Sequence, residues 1–278
     1  MNAELPYAGY RLFARSDGEG PALLLIHGFP TSSRDWDPLW PVLSRRWSLH
    51  AIDMLGFGLS DKPSDFAYSV SASADQWEAL CSARGLGSVH VLAHDYGDTV
   101  AQELLARQID GRLPFAIRSI AFLNGGLFAE ATHPLRVQRW LLGPFGPWIA
   151  RLSSERTFVS GMRRICARVP DTAELHEHWQ LLVRAGGRRV LPKLIRYIRE
   201  RSEQRERWVG ALQRAGIPIC LIDGVEDPVS GADTVRRWRE LLPQAPAHEL
   251  TGVGHYPQWE APGAVLAAFE AFHRGVTV

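Results

Sequence analysis

Short apolar runs recur along the first half of the chain, and each is followed by a segment whose apolar positions return at helical spacing. Ala22-Leu23-Leu24-Leu25-Ile26 holds no polar residue and is bounded by Pro21 and His27-Gly28, so it reads as a strand buried on both faces. Leu49–Ile52, Val89–Ala93 and Ile117–Leu123 are further short, mostly apolar runs of the same length class, interrupted only by His50, His90 and Arg118-Ser119. Tyr10 to Ala14, followed by Gly18-Glu19-Gly20-Pro21, reads as the other arm of a hairpin leading into 22–26. Thr31 and Ser32-Ser33 can cap a helix running through Trp40 and Leu43. Val70–Arg84 predicts a helix capped by Ser71 or Ser73, with Trp77, Leu80 and Cys81 inward. Thr99–Arg107 predicts another, with Val100, Ala101, Leu104 and Leu105 on its apolar face. Such alternation implies an α/β fold, a mostly parallel sheet with right-handed crossovers and flanking helices.

The alternation stops at Gly126. From there to about Gly210 only helical segments are legible, rich in Arg and Trp and broken by Pro and Gly. It resumes with Ile217–Ile222, a helix around Val235–Leu242, a short strand near His248 and a last helix Pro262–Phe272. Residues 1–125 and 211–278 therefore form the expected core, and 126–210 a helical cap inserted at the carboxyl edge of the sheet.

The chemistry centres on Ser88–Arg107, where His94-Asp95-Tyr96-Gly97 must turn the chain sharply from strand to helix. Ala93 and Gly97 place small residues two positions to either side of Asp95, the spacing a nucleophile elbow demands because its central residue is strained and its flanks must not clash. A merely helix-capping aspartate would not need small residues on both sides. Serine usually occupies such an elbow and suits acyl transfer; attacking an sp3 carbon it would leave an ether. A carboxylate attacking the same carbon leaves an ester, which water can cleave in a second step. Asp95 is thus expected to be a nucleophile for displacement at an alkyl carbon.

Ester hydrolysis needs a water activated by a base that a carboxylate holds. His255 lies in Gly252-Val253-Gly254-His255-Tyr256-Pro257, a loop between the last strand and last helix, and is the expected base. His27 and His94 read as donors bracing their own turns, and His50 and His90 fall at or within strands. His133, His176, His178, His248 and His273 read as surface or helix residues. Asp227, just beyond strand 217–222, is the expected carboxylate ahead of Asp223 and Glu226. The oxyanion would be held by the backbone N–H groups of Tyr96 and of Phe29, which follows His27-Gly28.

Composition narrows this little. The 278 residues are 46% hydrophobic and 22% charged, with a net charge of +1 that gives no reason to expect a nucleic-acid partner. Gly56-Phe57-Gly58 lacks the helix and the G-K-S/T of a phosphate loop. Cys81, Cys166 and Cys220 are widely spaced and match no metal or redox pattern, so neither metal nor cofactor is expected. No secretory signal is legible at the N-terminus, and Trp140–Ala150 is too short and too broken to span a bilayer. A cytoplasmic location is expected. Oligomeric state is not legible.

H-G-x-P after one strand, H-D-Y-G at the elbow, G-x-x-D-P and a late G-x-G-H together resemble the α/β-hydrolase superfamily. The aspartate places that resemblance in its epoxide hydrolase and haloalkane dehalogenase branch. H-D-Y-G-D-T-V-A-Q-E-L-L-A-R, N-G-G, R-Y-I-R-E-R, R-W-V-G-A-L and H-Y-P-Q-W-E are similar to the mesoderm-specific-transcript-like subgroup. The resemblance implies an epoxide hydrolase acting on a small apolar epoxide, with a proton for the opening ring drawn from a cap tyrosine. Tyr197 is the one tyrosine of the insertion, at the margin of the stripe formed by Leu191, Leu194, Ile195 and Ile198. A dehalogenase would instead need N–H donors for halide. Tyr96 and Phe29 depart from that pattern, while Trp140, Trp148, Trp179 and Trp208 leave indoles available. A hydrolase fold retained only for binding is the third reading. Nine basic residues against three acids between Arg184 and Arg207 read as a solvated face, with membrane-surface or partner contact as the other possibility.

Overall fold

The computed structural model describes residues 2–275; Met1 and residues 276–278, the outer ends of the two expected core segments, lie outside the described residues. Eight strands form one sheet: β1 (Asn2–Tyr7), β2 (Tyr10–Asp17), β3 (Ala22–Ile26), β4 (Ser48–Asp53), β5 (Ser88–His94), β6 (Ala116–Leu123), β7 (Ile219–Gly224) and β8 (Ala247–Leu250). Their order is β1-β2-β4-β3-β5-β6-β7-β8, antiparallel across the first two junctions and parallel thereafter. The expected hairpin between 10–14 and 22–26 is not formed, because β4 lies between β2 and β3. The hairpin is β1–β2, turned at Ala8-Gly9 with both residues at positive φ. Its first strand alternates exposed and half-buried positions, so it carried no apolar run.

Strictly alternating burial partners divide the core. Leu24, Ile26, Val91, Ala93, Ile120 and Phe122 face one side of the sheet, and Leu23, Leu25, Leu92, Ala121 and Leu123 the other. The first face is covered by α2 (Val70–Arg84), through Trp77 and Leu80, and by α3 (Tyr96–Ile109), through Val100, Ala101 and Leu104. The second is covered by Trp36, by α1 (Trp40–Leu43) and, near the chain's end, by a long helix carrying Val265, Phe269 and Phe272. Each fully buried Leu, Ile or Val contributes roughly 1.5–3 kcal/mol relative to exposure. Helix α2 is capped by Ser69 rather than Ser71 or Ser73, its side chain accepting from Ala72 N at 3.0 Å. All three cysteines are buried and unpaired.

Between β6 and β7 the described chain is helical: α4 (Arg136–Leu141), α5 (Gly146–Leu152), α6 (Glu155–Ile165), α7 (Thr172–Val183), α8 (Leu191–Leu194), α9 (Tyr197–Glu203) and α10 (Arg205–Gln213). The expected continuous stripe from Leu191 to Ile198 is broken into α8 and α9, which turns Tyr197 fully inward rather than to a margin. The α9–α10 segment is tied to α3 by Arg201, by Arg207 and by Trp208, whose indole donates to Glu103 at 2.9 Å. Strand β7 begins two residues later than expected because Pro218 cannot donate a ladder hydrogen bond, and it carries Asp223 within it. The chain ends through α11 (Ala232–Leu241), α12 (Pro257–Glu260) and α13 (Pro262–Arg274). No described helix is long and apolar enough to cross a membrane.

Candidate active site

Asp95 sits between β5 and α3 at φ 48°, ψ −105°, a backbone conformation costly for a residue with a side chain. Its neighbours explain how it persists. A Cβ at Gly97 would collide with the main-chain carbonyl of Ile26, and one at Gly28 would press on His94 and Asp95. The β3–β5 pairing brings the chain after Ile26 against the elbow, and Phe29 N–H donates to Asp95 Oδ2 at 2.9 Å. Tyr96 N–H belongs to the first turn of α3, where helices leave donors without intrahelical partners. The Tyr96 side chain turns away, its hydroxyl 2.8 Å from Ser73 Oγ and its ring stacked on Phe57.

His255 Nδ1 lies 2.7 Å from Asp227 Oδ2. Asp227 is held in turn by Val229 N (2.8 Å), Ser230 N (3.1 Å), Ser230 Oγ (2.8 Å) and Asn124 Nδ2 (3.2 Å). Of its rivals, Asp223 is buried and accepts from Asn124, while Glu226 is exposed. Burial opposes a charged imidazole, but the Asp227 charge and hydrogen bond outweigh it, with Asp95 adding to them, and raise His255 to about 9. Burial likewise opposes the Asp227 carboxylate, and His255 and its hydrogen bonds hold it below the usual range. Glu260 fixes the loop, accepting from Gly254 N, Tyr256 N, Ala167 N and Arg168 N, while His255 N–H donates to Ile165 O at the end of α6. His27 braces its own turn, with Nδ1 2.8 Å from Gly28 O while Nε2 accepts from Met54 N at 3.1 Å. His94, expected to do the same, instead braces the His255 loop, with Nε2 2.8 Å from His255 O.

Tyr197 packs over this centre, its ring 4.8 Å from that of Tyr96 and 5.9 Å from that of Phe29. Arg201 is the residue that sequence reasoning missed. It is buried, with its guanidinium 4.5 Å over the Tyr197 ring. Its Nη2 donates to Asp95 O at 3.1 Å and lies 3.6 Å from Asp95 Oδ1, while Nε donates to Thr99 Oγ1 at 2.8 Å. One arginine among fifteen in the insertion carries no pattern that singles it out. Asp98, one turn into α3, is also buried; burial and the nearby Asp95 charge push it well above the usual carboxylate range.

A cavity of about 150 Å³ opens onto Phe29 and His255 beneath α4, α6 and α7. Its walls include Leu141, Phe158, Met162, Trp179 and Leu182. Of the tryptophans expected to face substrate, Trp179 lines this space. Trp140 and Trp148 do not: they are 59% and 66% exposed on α4 and α5, which pack on the rest of the protein through Leu141 and through Gly146 and Ala150, leaving the tryptophans outward. Chemically, the arrangement offers a carboxylate with one oxygen on an N–H donor, a carboxylate-held imidazole that lines an apolar chamber, and a phenol and guanidinium packed against each other beside the carboxylate.

A family model for the alpha/beta hydrolase fold matches residues 21–262. The chain is 41% identical over 268 residues to LipZ of Mycobacterium tuberculosis, named as a hydrolase, covering 95% of this chain and 92% of that protein. It is 38% identical over 282 residues to the human mesoderm-specific transcript homolog protein, covering 96% and 84% respectively. Among solved structures, haloalkane dehalogenase DbeA from Bradyrhizobium elkani superposes with a TM-score of 0.83 at 23% identity over 99% of this chain and 98% of its own. The epoxide hydrolase CorEH superposes at 0.80 with 20% identity, covering 100% and 99%. At these identities the two structures share the fold. With the sequence relatives spanning nearly the whole chain, this protein belongs to the α/β-hydrolase fold family, alongside LipZ and the mesoderm-specific transcript proteins.

Proposed function

We propose that the protein is an epoxide hydrolase that opens an apolar epoxide to a vicinal diol through an aspartyl ester. The observation that carries this reading is the carboxylate of Asp95 at a strained turn, with Oδ2 on Phe29 N–H and Oδ1 facing the Arg201 guanidinium at 3.6 Å, which itself lies over the Tyr197 ring. Asp95 Oδ1 attacks an epoxide carbon, the C–O bond to the ring oxygen breaks, and Tyr197 gives its proton to the resulting alkoxide. Burial and the Asp95 charge disfavour the Tyr197 phenolate and keep its pKa raised, Arg201 over the ring opposing them only in part. The alkoxide is basic enough to take the proton all the same.

His255 Nε2, left free by the Nδ1–Asp227 hydrogen bond, then removes a proton from water, and hydroxide attacks the ester carbonyl. Phe29 N–H, already on Oδ2, holds the negative charge of the tetrahedral intermediate, with Tyr96 N–H as second donor. Collapse expels the diol oxygen, which takes the proton from His255 and leaves Asp95 as its carboxylic acid. That proton returns to the Tyr197 phenolate, which restores both the Asp95 carboxylate and the Tyr197 phenol. Leu141, Phe158, Met162 and Trp179 give the chamber an apolar lining suited to a hydrocarbon substituent. Residues 126–210 act as the cap that supplies the proton donor and excludes water.

Assaying styrene oxide and related epoxides should yield diols. A single turnover in heavy-oxygen water should place the isotope in the Asp95 side chain. Label found only in product would overturn the covalent route. The second reading, a haloalkane dehalogenase, is favoured by the Trp179 indole beside the chamber and would show as halide release from dihaloalkanes. A protein that only binds would give ligand-induced melting shifts surviving Asp95→Asn and no turnover.

A further inference from the structure

The outer surface of α4 and α5 is unlike the rest of the molecule. Phe145, Trp148 and Leu152, at positions i, i+3 and i+7, form one stripe that is 70%, 66% and 78% exposed, and Trp140 beside them is 59% exposed. Large apolar side chains exposed together mark a surface that meets something apolar. In the same stretch of chain, residues 136–168 contain seven arginines (136, 139, 151, 156, 163, 164 and 168) and a single acid, Glu155. All seven are exposed, none forms an ion pair among the described residues, and Glu155 is taken by His176 at 2.8 Å. The imbalance extends over the insertion: residues 126–210 hold sixteen basic and eight acidic side chains, the remainder fifteen and twenty-two. The overall charge of +1 therefore conceals a strongly cationic insertion, and the exposed aromatics lie within it.

We propose that the α4–α5 face docks the protein on an anionic lipid surface. Aromatic rings at the headgroup boundary with flanking arginines are the pattern of a segment lying in the membrane interface. A second copy is disfavoured as occupant, because a two-fold contact would set these arginines against themselves. An acyl phase is favoured over a polyanion in solution by what lies behind the stripe. Val137, 44% exposed on the same surface, also lines the cavity that ends at Phe29 and His255. The chamber thus reaches the exposed surface of α4 at Val137, an opening that would let substrate enter from the bilayer. The docking itself does not depend on the reaction at Asp95.

Co-sedimentation tests this without reference to activity. The full chain should pellet with phosphatidylcholine vesicles containing about a quarter phosphatidylglycerol and stay in solution with phosphatidylcholine alone. Salt at about 0.5 M should release it. Brominated acyl chains should quench part of its tryptophan fluorescence, and W140F/W148F should bind while losing that quenching. Replacing Trp140, Phe145 and Trp148 with Ser, or Arg151 and Arg156 with Glu, should weaken binding at least about tenfold. Both variants change exposed side chains, and unchanged far-ultraviolet dichroism and melting would show that they fold. No pelleting at low salt would overturn the proposal. So would pelleting without quenching, a serine variant that binds like the parent, equal affinity for a single-stranded oligonucleotide, or self-association lost in that variant without vesicle binding.

Discussion

The guanidinium of Arg201 reaches across from α9 to the main-chain carbonyl of Asp95, 3.1 Å away, and lies 3.6 Å from the carboxylate of the same residue. The inserted helices thereby touch the strained residue at the carboxyl end of β5. With both groups buried, removing the cation strands a charge, so Arg201→Met should cost about 3 kcal/mol in urea unfolding. It should also slow ester formation, since Asp95 loses a contact that orients Oδ1. Arg201→Lys keeps the charge but not the fork reaching both Asp95 and Thr99, and should recover only part of either. An unchanged unfolding midpoint in Arg201→Met would discard this role.

The two limbs of the proposed reaction should separate with pH. Ester decay needs neutral His255, whose pKa is raised to about 9 in the resting site, in part by the Asp95 charge. Esterification removes that charge, so the midpoint for ester decay should fall below about 9 and the rate should rise with pH through it. Asp227→Asn withdraws the main stabilisation of the imidazolium. It should move the midpoint lower still and cut the decay rate on the order of 10⁴-fold. Rapid-quench single turnovers across pH read both; a rate that falls as pH rises would contradict the assignment of His255 as base.

Tyr197→Phe deletes one hydroxyl from a buried ring that stays packed against Tyr96 and Phe29. Ester formation from an epoxide should slow roughly 10²–10⁴-fold, with ester decay unaffected. Equal slowing of both limbs would point to displaced packing rather than a lost proton donor.

Asp98 is a buried carboxylic acid whose folded pKa stands well above its ordinary value, burial being the first cause and Asp95 the second. A raised folded pKa means its contribution to stability is complete below the unfolded pKa and is lost as pH climbs toward the folded one. Asp98→Asn, which cannot ionise, should therefore gain on the parent protein by up to about 1.4 kcal/mol per pH unit above roughly pH 4. Paired urea titrations at several pH values between those limits measure the difference, and a pH-independent gap would show that Asp98 is ionised in the fold.

Gly97→Ala should be disruptive out of proportion to one methyl group. The new Cβ meets the Ile26 carbonyl, main chain held in the β3–β5 ladder that cannot step aside. A loss of about 1–3 kcal/mol with loss of turnover is expected. Parent-like activity would mean the elbow is looser than its geometry implies.

Sequence alone determined the sheet's interior strands, because β3, β4, β5 and β6 are buried on both faces and their composition states it. It also pointed to Asp95, since a sharp strand-to-helix turn demands small neighbours at fixed offsets, a local requirement that local spacing records. Strand β1 was missed because an edge strand half open to solvent needs no apolar run. Only tertiary structure decided which carboxylate meets His255, for Asp223, Glu226 and Asp227 differ by direction at a strand end rather than by type. Only it turned Tyr197 inward, by breaking a helix, and chose Arg201 from fifteen arginines of the insertion. A long cationic side chain reads as solvated until the fold brings a buried partner within reach, and that partner lies 106 residues away in the chain.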